Sequence, residues 1–365
     1  MFSRHGSAPA LAALAMSCFI FGGCVTPKPE ESFPLYATSA EHVTASAQAF
    51  DTARALGRGV NLGNVFESPR GDGDWGVPML ADYVDKISTA GFTTVRIPVR
   101  WSNHATTDGA AVIDEAFARR IDETVDAFLV RGMHVVLNVH HYRQLAGDRL
   151  DPGEAQVDDA VLRVRFFKLW QQIAARYKDR SPRLIFELLN EPHGPLDADW
   201  NDMASRALRI VRQSNPQRVV MIGPGRWNSA DALAQLRLPS DPNLIVTVHD
   251  YDPFDFTHQG AEWTKPVRAT GVSCCSDEQR TRIARGLAIA QTWGQRNGYP
   301  LWLGEFGAYS KAAMPSRAAY TRAVRDEAEK RGITWAYWEF GAGFGVYDPR
   351  AGNWRPELLE ALLGK

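Results

Sequence analysis

Eight short apolar runs, separated by stretches with helical periodicity, are the feature that most constrains the fold of this sequence. The runs are continuously apolar, as expected for parallel strands that are covered on both faces. The stretches between them carry helix signals; Asp114 precedes one periodic apolar segment and Gly132 follows it. The runs lie at residues 59–62, 94–98, 135–139, 184–189, 219–222, 244–248, 301–304 and 334–339.

Eight strand–helix repeats without a long polar linker predict a single (β/α)8 TIM barrel over residues 57–365. An open, doubly wound α/β sheet is the structural alternative, because it shows the same alternation of strands and helices. A chain of 365 residues can bury a large core. We therefore expect one catalytic domain, which we place at residues 51–365.

The charge balance bears on the class of ligand. Lys and Arg together number 41 against 42 Asp and Glu, so the chain has no basic excess that would indicate nucleic-acid binding. A near-neutral protein also exerts little long-range steering on a charged ligand, which favours an uncharged substrate. The 11 Trp and 10 Tyr residues are numerous, and flat aromatic faces suit stacking against sugar rings.

The first fifty residues are predicted to lie outside the fold. Residues 1–23 have a charged start and an apolar run of export-signal length, which is short for a spanning helix. Phe21-Gly22-Gly23-Cys24 resembles a bacterial lipobox, which predicts lipidation of Cys24; an ordinary cleaved signal is the alternative. Residues 24–50 are predicted to be a tether. We expect an exported protein that is anchored to the cell envelope as a lipoprotein, and is otherwise periplasmic or secreted.

The remaining cysteines, Cys274 and Cys275, are adjacent. Neighbouring cysteines cannot build a disulfide framework, so they are either free thiols or a local ring. The sequence contains no C-x-x-C pattern of the kind that holds structural zinc.

Polar side chains follow the predicted strands where the active site of a barrel of this type lies. Two of them are glutamates: Glu191 follows the fourth run, and Glu305 follows the seventh. Two carboxyl groups that face each other across a cleft are what glycosidic cleavage requires, one as the acid and the other as nucleophile or base. Taken singly, each glutamate could instead be a strand-end cap paired with a basic residue.

The neighbouring polar residues fit the same chemistry. Arg96 would keep a nearby carboxylate ionised, and Asn190 could donate to a sugar 2-hydroxyl group. His249 and Tyr251 could orient the carboxyl groups, and Trp338 offers a face for a pyranose ring. Glu187, inside the fourth run, is predicted to form an ion pair within the barrel.

The histidines do not indicate a metal site. A metal-dependent barrel hydrolase needs two histidines on alternate residues, whereas His140 and His141 are adjacent and would point to opposite faces of a strand. The glycine-containing stretches match no phosphate-binding pattern. The sequence therefore predicts neither a metal nor a cofactor.

Five segments together resemble glycoside hydrolase family 5. They are RGVNLGN at 58–64, VRIP at 95–98, LNVHHY at 137–142, FELLNEP at 186–192 and LGEFG at 303–307. Residues 249–263 and 335–348 are similar to thermophile-type endoglucanases of that family, some of which act on both cellulose and mannan. The resemblance covers residues 52–365.

The resemblance implies a retaining endo-glycanase with Glu191 as general acid/base and Glu305 as nucleophile. It assigns supporting roles around the reacting bond to Arg96, His140, Asn190, His249, Tyr251 and Trp338. It places sugar contacts at Asn64, Glu67, His141, His258, Trp263 and Phe344. The chain departs from the family pattern at Asp250, where relatives often carry an aromatic residue, and at the cysteine pair.

We therefore expect an endo-β-1,4-glucanase that acts on cellulose-type and mixed-linkage glucans. Its carboxyl groups should lie about 5–5.5 Å apart, and the ionised Glu305 should raise the pKa of Glu191. A β-mannanase or a dual glucanase/mannanase is the closer alternative. A non-catalytic glycan-binding lipoprotein is the alternative of another class. The expected partners are a β-linked polysaccharide and, through the lipid anchor alone, a membrane.

Overall fold

A computed structural model describes residues 29–37 and 43–364 of the chain. Its central feature is a closed barrel of eight parallel strands in the order β1 to β8, and β1 pairs with β8 through Gly59 and Ala336. This pairing confirms the barrel and excludes the open sheet. The strands are β1 Arg58–Asn61, β2 Thr94–Ile97, β3 His134–Asn138, β4 Leu184–Glu187, β5 Val220–Ile222, β6 Leu244–His249, β7 Leu301–Glu305 and β8 Thr334–Tyr337.

Helices surround the barrel, and several begin where the sequence supplies a cap. Asp114 Oδ1 accepts the Phe117 backbone N–H at 2.7 Å, and Ser276 and Gln279 form a reciprocal capping box. The longer helices are Ala47–Leu56, Asp82–Ala90, Glu115–Val130, Leu162–Arg176, Leu196–Ser214, Asp277–Asn297, Met314–Lys330 and Pro356–Leu363. A two-stranded antiparallel sheet, β9 Tyr347–Asp348 and β10 Asn353–Trp354, lies after the barrel.

The first helix corrects the predicted tether. It begins at Ala47, inside the segment 24–50, and its Leu56 and Ala53 pack with inward-facing barrel residues such as Val136 and Ile245. The backbone N–H of Ser46 donates to the Pro242 carbonyl just before β6. The helix therefore closes the amino-terminal end of the barrel, and the folded domain starts before residue 51.

The described residues ahead of this helix also contact the domain. The ring of Phe33 lies 5.0 Å from that of Phe167, and the Tyr36 N–H donates to Ser205 Oγ at 3.0 Å. Residues 1–28, which include the predicted signal and Cys24, lie outside the described part of the chain. Within the described part, no helix combines the length and the apolar character needed to cross a bilayer.

The two adjacent cysteines form a disulfide, which decides between the alternatives that the sequence left open. Cys274 and Cys275 lie just before the helix Asp277–Asn297 and pack against the edge of the apolar core. The ring is local, so it links no distant elements of the fold.

Candidate active site

The two predicted glutamates meet at the carboxyl end of the barrel. Glu305 is the last residue of β7, and Glu191 follows β4 with a left-handed backbone (φ 48°). Such a conformation in a residue other than glycine is uncommon and clusters at functional sites. One carboxyl oxygen of each glutamate and a ring nitrogen of His249 all lie within 4.8 Å of one another. This proximity fits the spacing of a retaining pair, about 5–5.5 Å, rather than that of an inverting pair, about 6.5–9.5 Å.

Glu305 is held by two donors. Arg96 Nη1 donates to its Oε1 at 2.6 Å, and the Tyr251 hydroxyl donates to its Oε2 at 2.9 Å. Burial raises the pKa of Glu305, while the charge of Arg96 and the hydrogen bond from Tyr251 oppose that rise. These donors favour the ionised carboxylate, which is the form that can act as a nucleophile.

Arg96 organises the polar interior of the barrel. Its guanidinium group has five N–H donors, and five acceptor atoms lie around it. Two of these acceptors are the Glu187 oxygens, at 2.6 and 3.0 Å, and the third is Asn61 Oδ1 at 2.8 Å. The other two are Glu305 Oε1 and Asn190 Oδ1, at 2.6 and 2.7 Å. Arg96 and Glu187 are fully buried, which confirms the predicted interior ion pair.

Glu191 lies in a different environment. Its Oε1 is 2.8 Å from His249 Nδ1, and it has no arginine partner within the described residues. Burial raises the pKa of Glu191 to about 7. The predicted direction is therefore correct, but the predicted cause is wrong, since desolvation rather than the charge of Glu305 is the main contribution. Glu191 is suited to hold a proton near neutral pH.

His249 is neutral over the working range, because burial lowers its pKa to about 4. Asn228 Nδ2 lies 3.3 Å from Nε2 of the same ring and donates to it. The ring proton is therefore on Nδ1, from which it can donate to the Glu191 carboxylate. His249 orients the acid without adding charge to the site.

Asn190, His140 and Trp338 complete the centre of the site. A guanidinium group can only donate, so the atom of Asn190 that faces Arg96 must be the acceptor Oδ1. The Nδ2 group of Asn190 therefore points away from Arg96. The His140 ring stacks on Trp338 with centroids 5.7 Å apart, and burial lowers the pKa of His140 well below its ordinary value. Asn190 can thus offer an N–H donor, and Trp338 is held in a fixed orientation.

The β1 side of the cleft carries the predicted sugar contacts Asn64 and His141. The Trp75 ring lies 6.0 Å from His141 and is 38% exposed. Glu67 departs from the prediction: it is fully buried and accepts the backbone N–H of Asn64. Glu67 therefore supports Asn64 from behind and presents no surface to a sugar.

An aromatic wall lies beside the pair of glutamates. His258 stacks on Phe254 at 4.1 Å and meets Tyr251 edge-on at 5.0 Å. Trp263 is 57% exposed, and its ring lies 6.3 Å from that of Phe344. This wall presents apolar faces to the cleft.

These walls enclose one continuous cavity of about 1270 Å³. The predicted site residues that line it are Asn64, His140, His141, Asn190, Glu191, His249, Tyr251, His258, Trp263, Glu305, Trp338 and Phe344. Arg96 and Glu67 lie directly behind this lining. A long cleft with a central acid pair and aromatic walls suits a chain of sugar rings.

Comparison with known proteins identifies the family. The sequence model described as Cellulase (glycosyl hydrolase family 5) matches residues 54–343. The chain belongs to glycosyl hydrolase family 5.

The similar proteins in family 5 include Endoglucanase H of Acetivibrio thermocellus, which is 36% identical over 86% of this chain. The match covers 33% of that longer protein, so the chain spans about a third of its length. Thermotoga maritima Cel5A in complex with mannotriose is 41% identical, with a TM-score of 0.81 over 86% of this chain and 100% of that one. The same enzyme in complex with cellobiose is 42% identical, with a TM-score of 0.81 over the same shares of the two chains.

The structure adds site residues that the sequence reasoning missed. Trp75 lines the cavity on the β1 side, and Trp227 lines it beyond Glu191. Trp227 is 55% exposed and stacks on His193 with centroids 4.6 Å apart. Asp148 Oδ2 lies 3.1 Å from Nε2 of His193. Burial disfavours the charged form of His193, but the neighbouring Asp148 carboxylate outweighs this effect and raises the pKa of His193. Trp75, Asp148 and His193 lie outside the helices and strands, and Trp227 lies in the one-turn segment Gly225–Asn228. The one usable signal in the sequence was an isolated tryptophan.

The adjacent histidines correct one geometric prediction. They were expected on opposite faces of a strand, but β3 ends at Asn138, and both rings turn to the cavity with centroids 4.4 Å apart. Glu67, His140 and His141 thereby bring three possible ligand atoms within 4.8 Å. The nearby Arg96 and Arg100 lower the pKa of His141 in addition to its burial, and the same positive potential disfavours a cation there.

Proposed function

We propose that the protein is a retaining endo-β-1,4-glucanase. The observation that carries the proposal is the close pair of carboxyl groups in two contrasting environments. Arg96 and Tyr251 donate to Glu305, whereas burial raises the pKa of Glu191 to about 7. Two carboxyl groups whose surroundings separate their protonation states supply a nucleophile and an acid at the same pH.

The proposed reaction has two steps. The Glu305 carboxylate attacks the anomeric carbon while Glu191 gives its proton to the departing glycosidic oxygen, which yields a glycosyl ester on Glu305 and a shortened chain. Glu191, now ionised, takes a proton from water, and the oxygen of that water displaces Glu305 from the anomeric carbon. Both carboxyl groups return to their starting states with the configuration retained.

The cleft supports the endo mode of action. Trp75 and Asn64 line it after β1, whereas Trp227 lines it after β5, which is the strand opposite β1 in the closed barrel. Sugar rings can therefore lie on both sides of the reacting bond. In the central subsite, Asn190 Nδ2 donates to the sugar 2-hydroxyl, a bond that strengthens in the transition state of this chemistry.

The test is product formation from purified polysaccharides, with Glu305→Gln as the blank. We expect activity on carboxymethyl-cellulose and mixed-linkage glucan, with a fast fall in viscosity relative to the release of reducing ends. Proton NMR of the first product should show the β-anomer. A folded wild-type protein without activity on any β-glucan or β-mannan would instead favour the glycan-binding lipoprotein. An α-anomer as the first product would contradict the retaining route.

Cleavage of β-mannan is the second candidate. The supporting observation is that a 41% identical structure, Thermotoga maritima Cel5A, is described with a mannotriose substrate as well as with cellobiose. Galactomannan and glucomannan therefore belong in the same panel. Strong cleavage of galactomannan would show that the central subsite accepts an axial 2-hydroxyl, and the activity would then be that of a dual glucanase/mannanase.

We also propose that the protein is exported and anchored by a lipid on Cys24. The support is the charged and apolar sequence of residues 1–23 and the small residues before Cys24. Expression in a bacterial host and fractionation of membranes should place the wild-type chain in the membrane pellet. Cys24→Ala should leave the membrane fraction while keeping its activity; retention of that variant in the pellet would refute the anchor.

A further inference from the structure

His193 lies two residues after Glu191 and has an acceptor at each of its ring nitrogens. Its Nδ1 lies 2.6 Å from the backbone carbonyl oxygen of Glu191, and its Nε2 lies 3.1 Å from Asp148 Oδ2. A carbonyl oxygen can only accept, so Nδ1 carries a proton. An ionised carboxylate can also only accept, so both contacts are hydrogen bonds when the ring is doubly protonated.

Asp148 is held in the ionised form that this imidazolium requires. Burial disfavours the charged form of Asp148, but His193 and Arg143 outweigh this effect and hold the pKa of Asp148 below its ordinary value. Arg143 Nη1 lies 3.6 Å from Asp148 Oδ2, on the same oxygen that faces His193. Asp148 and His193 therefore each favour the charged form of the other.

Two glycines bring the two partners together. Gly147 and Gly194 both have left-handed backbones, with φ of 78° and 61°. A Cβ on Gly147 would lie 2.9 Å from Pro195 Cγ, and one on Gly194 would lie 2.7 Å from the Ala146 carbonyl oxygen. A side chain at either position would push the loop after β3 away from the segment after β4. The close approach of these two segments keeps the charged side chains in contact.

The surroundings of the His193 ring also suit a cation. The ring stacks on Trp227 with centroids 4.6 Å apart and planes 14° apart, and the face of an indole ring attracts a positive charge. The Trp227 backbone N–H donates to the Pro192 carbonyl at 3.1 Å, which fixes the indole beside the acid. Since only 14% of the His193 side chain is exposed, solvent screens its charge weakly.

The other charged and titratable groups near His193 lie in the loops after β3, β4 and β5 and in the helix Leu196–Ser214. They are His141, Arg143, Glu191, Arg226 and Asp197. Burial lowers the pKa of His141 well below its ordinary value, so that ring is neutral. Asp197 Oδ1 accepts the Arg226 backbone N–H at 2.7 Å.

The charge of His193 acts on the carboxyl group of Glu191. Burial raises the pKa of Glu191 to about 7, the charges of His193 and Arg96 oppose that rise, and Glu187 adds to it. His249, which contacts the same carboxyl group, is neutral. A cation at His193 thus limits the effect of burial on the proposed acid.

We propose that His193, held as an imidazolium by Asp148, is a positioning residue for Glu191. Its Nδ1–H fixes the left-handed backbone of Glu191, and its positive charge favours the ionised form of the Glu191 carboxyl group. This inference rests on the proposed function, in which Glu191 is the acid. It adds a control of that site, because an ion pair between two loops then sets the basic limit of the active pH range.

The test is the pH dependence of kcat/KM on a soluble mixed-linkage glucan. His193→Asn keeps an N–H donor near the position of Nδ1 and removes the charge, so the pKa of Glu191 should rise and the basic limb should move to higher pH. At pH 8, where about a tenth of Glu191 is protonated in the wild type, kcat/KM relative to its maximum should rise about two- to threefold. Asp148→Asn keeps the ring but removes the charge that stabilises the imidazolium, and it should move the limb in the same direction.

Two further variants separate the charge from the hydrogen bond. His193→Ala also loses the donor to the Glu191 carbonyl, so its maximal kcat/KM should fall about tenfold below that of His193→Asn, the scale of one hydrogen bond. His134→Gln is the matched control, because His134 is the first residue of β3 at the opposite end of the barrel, and it should keep the wild-type profile. If His193→Ala does not fold, His193→Asn and Asp148→Asn decide the proposal.

The outcomes distinguish this inference from the proposed function. A basic limb that stays in place in both His193→Asn and Asp148→Asn, or that moves equally in His134→Gln, would overturn the role of His193 and leave the proposed function intact. A folded wild-type protein without activity on any β-glucan or β-mannan would overturn both.

Discussion

Tyr251→Phe tests the electrostatic support of the proposed nucleophile. The substitution deletes one hydroxyl group, whose hydrogen bond to Glu305 Oε2 is 2.9 Å long. The ring itself should stay in place, since it packs against His258 at 5.0 Å and Phe344 at 6.1 Å. The fold should therefore be retained while one of the two donors to Glu305 is lost.

The size of the effect follows from the type of bond. A hydrogen bond to a charged group contributes about 1.5–3 kcal/mol, and one pKa unit corresponds to about 1.36 kcal/mol. Loss of the bond should thus destabilise the ionised Glu305 by about 1.5–3 kcal/mol and raise its pKa beyond the rise that burial already causes. Because the nucleophile must be ionised, the acidic limb of the kcat/KM profile should move to higher pH.

The assay is the pH dependence of kcat/KM on a soluble β-glucan for the wild type, Tyr251→Phe and a matched control. Tyr309→Phe is that control, because Tyr309 also donates to a carboxylate, Glu262, at 3.0 Å on the rim of the cleft. The control should keep the wild-type acidic limb. If Tyr251→Phe also keeps it, the argument that this hydroxyl stabilises an ionised Glu305 is refuted.

Three further predictions follow from the same contacts. Arg96→Lys replaces five N–H donors by three, although five acceptors surround the group. The free energy of unfolding should therefore fall by about 2–5 kcal/mol in denaturant titrations, and a loss under about 1 kcal/mol would count against the hydrogen-bond network around Arg96. Leu56→Ala should lower the free energy of unfolding by about 2–5 kcal/mol in the same titrations, whereas Leu35→Ala, at a 40% exposed position, should change it little. Equal losses would contradict the packing of Leu56 against the base of the barrel. The rate should fall above about pH 7, because Glu191 then loses its proton. Glu191→Gln should still form the glycosyl-enzyme from an aryl glycoside with a good leaving group, whereas Glu305→Gln should not form it. The opposite pattern would show that the two glutamates have exchanged roles.

The barrel could be predicted because its physical signal is strong. Parallel strands buried on both faces must be continuously apolar, and all eight runs found in the sequence became strands. The polar residue after such a run marks the mouth of the barrel, which located Glu191 and Glu305. The ends of the strands were less accurate: His140 and His141 were expected to lie in the strand of the run at 135–139, but β3 stops at Asn138. Both histidine rings therefore turn to the cavity instead of pointing to opposite faces.

The helix Ala47–Leu56 escaped the sequence reasoning for a different reason. Its buried face consists of Ala49, Ala53 and Leu56, two of which are too small to give a clear apolar period. Its partners, such as Val136 and Ile245, form one surface only after the barrel has closed. A contact made with a completed tertiary surface leaves little trace in the local pattern.

The loop residues of the site were missed because backbone conformation places them. Arg226, Trp227 and Asn228 all have left-handed backbones, with φ between 53° and 58°, and this run directs Trp227 into the cleft. Residue type alone does not predict three such values in succession in residues other than glycine. The burial of Glu67 behind Asn64 could not be predicted from the sequence either.

The described segment ahead of the first helix also sets the orientation in which the domain can be held. Ser46 meets the loop before β6 at the base of the barrel, whereas Glu30 lies 3.7 Å from Arg163 in the first turn of the helix Leu162–Arg176, which begins at the mouth end. The chain therefore runs down the side of the barrel before it reaches the base. A solid support joined upstream of residue 29 would hold the barrel by this side, close to the rim of the cleft, so a spacer between the support and residue 29 should improve access for long polymers.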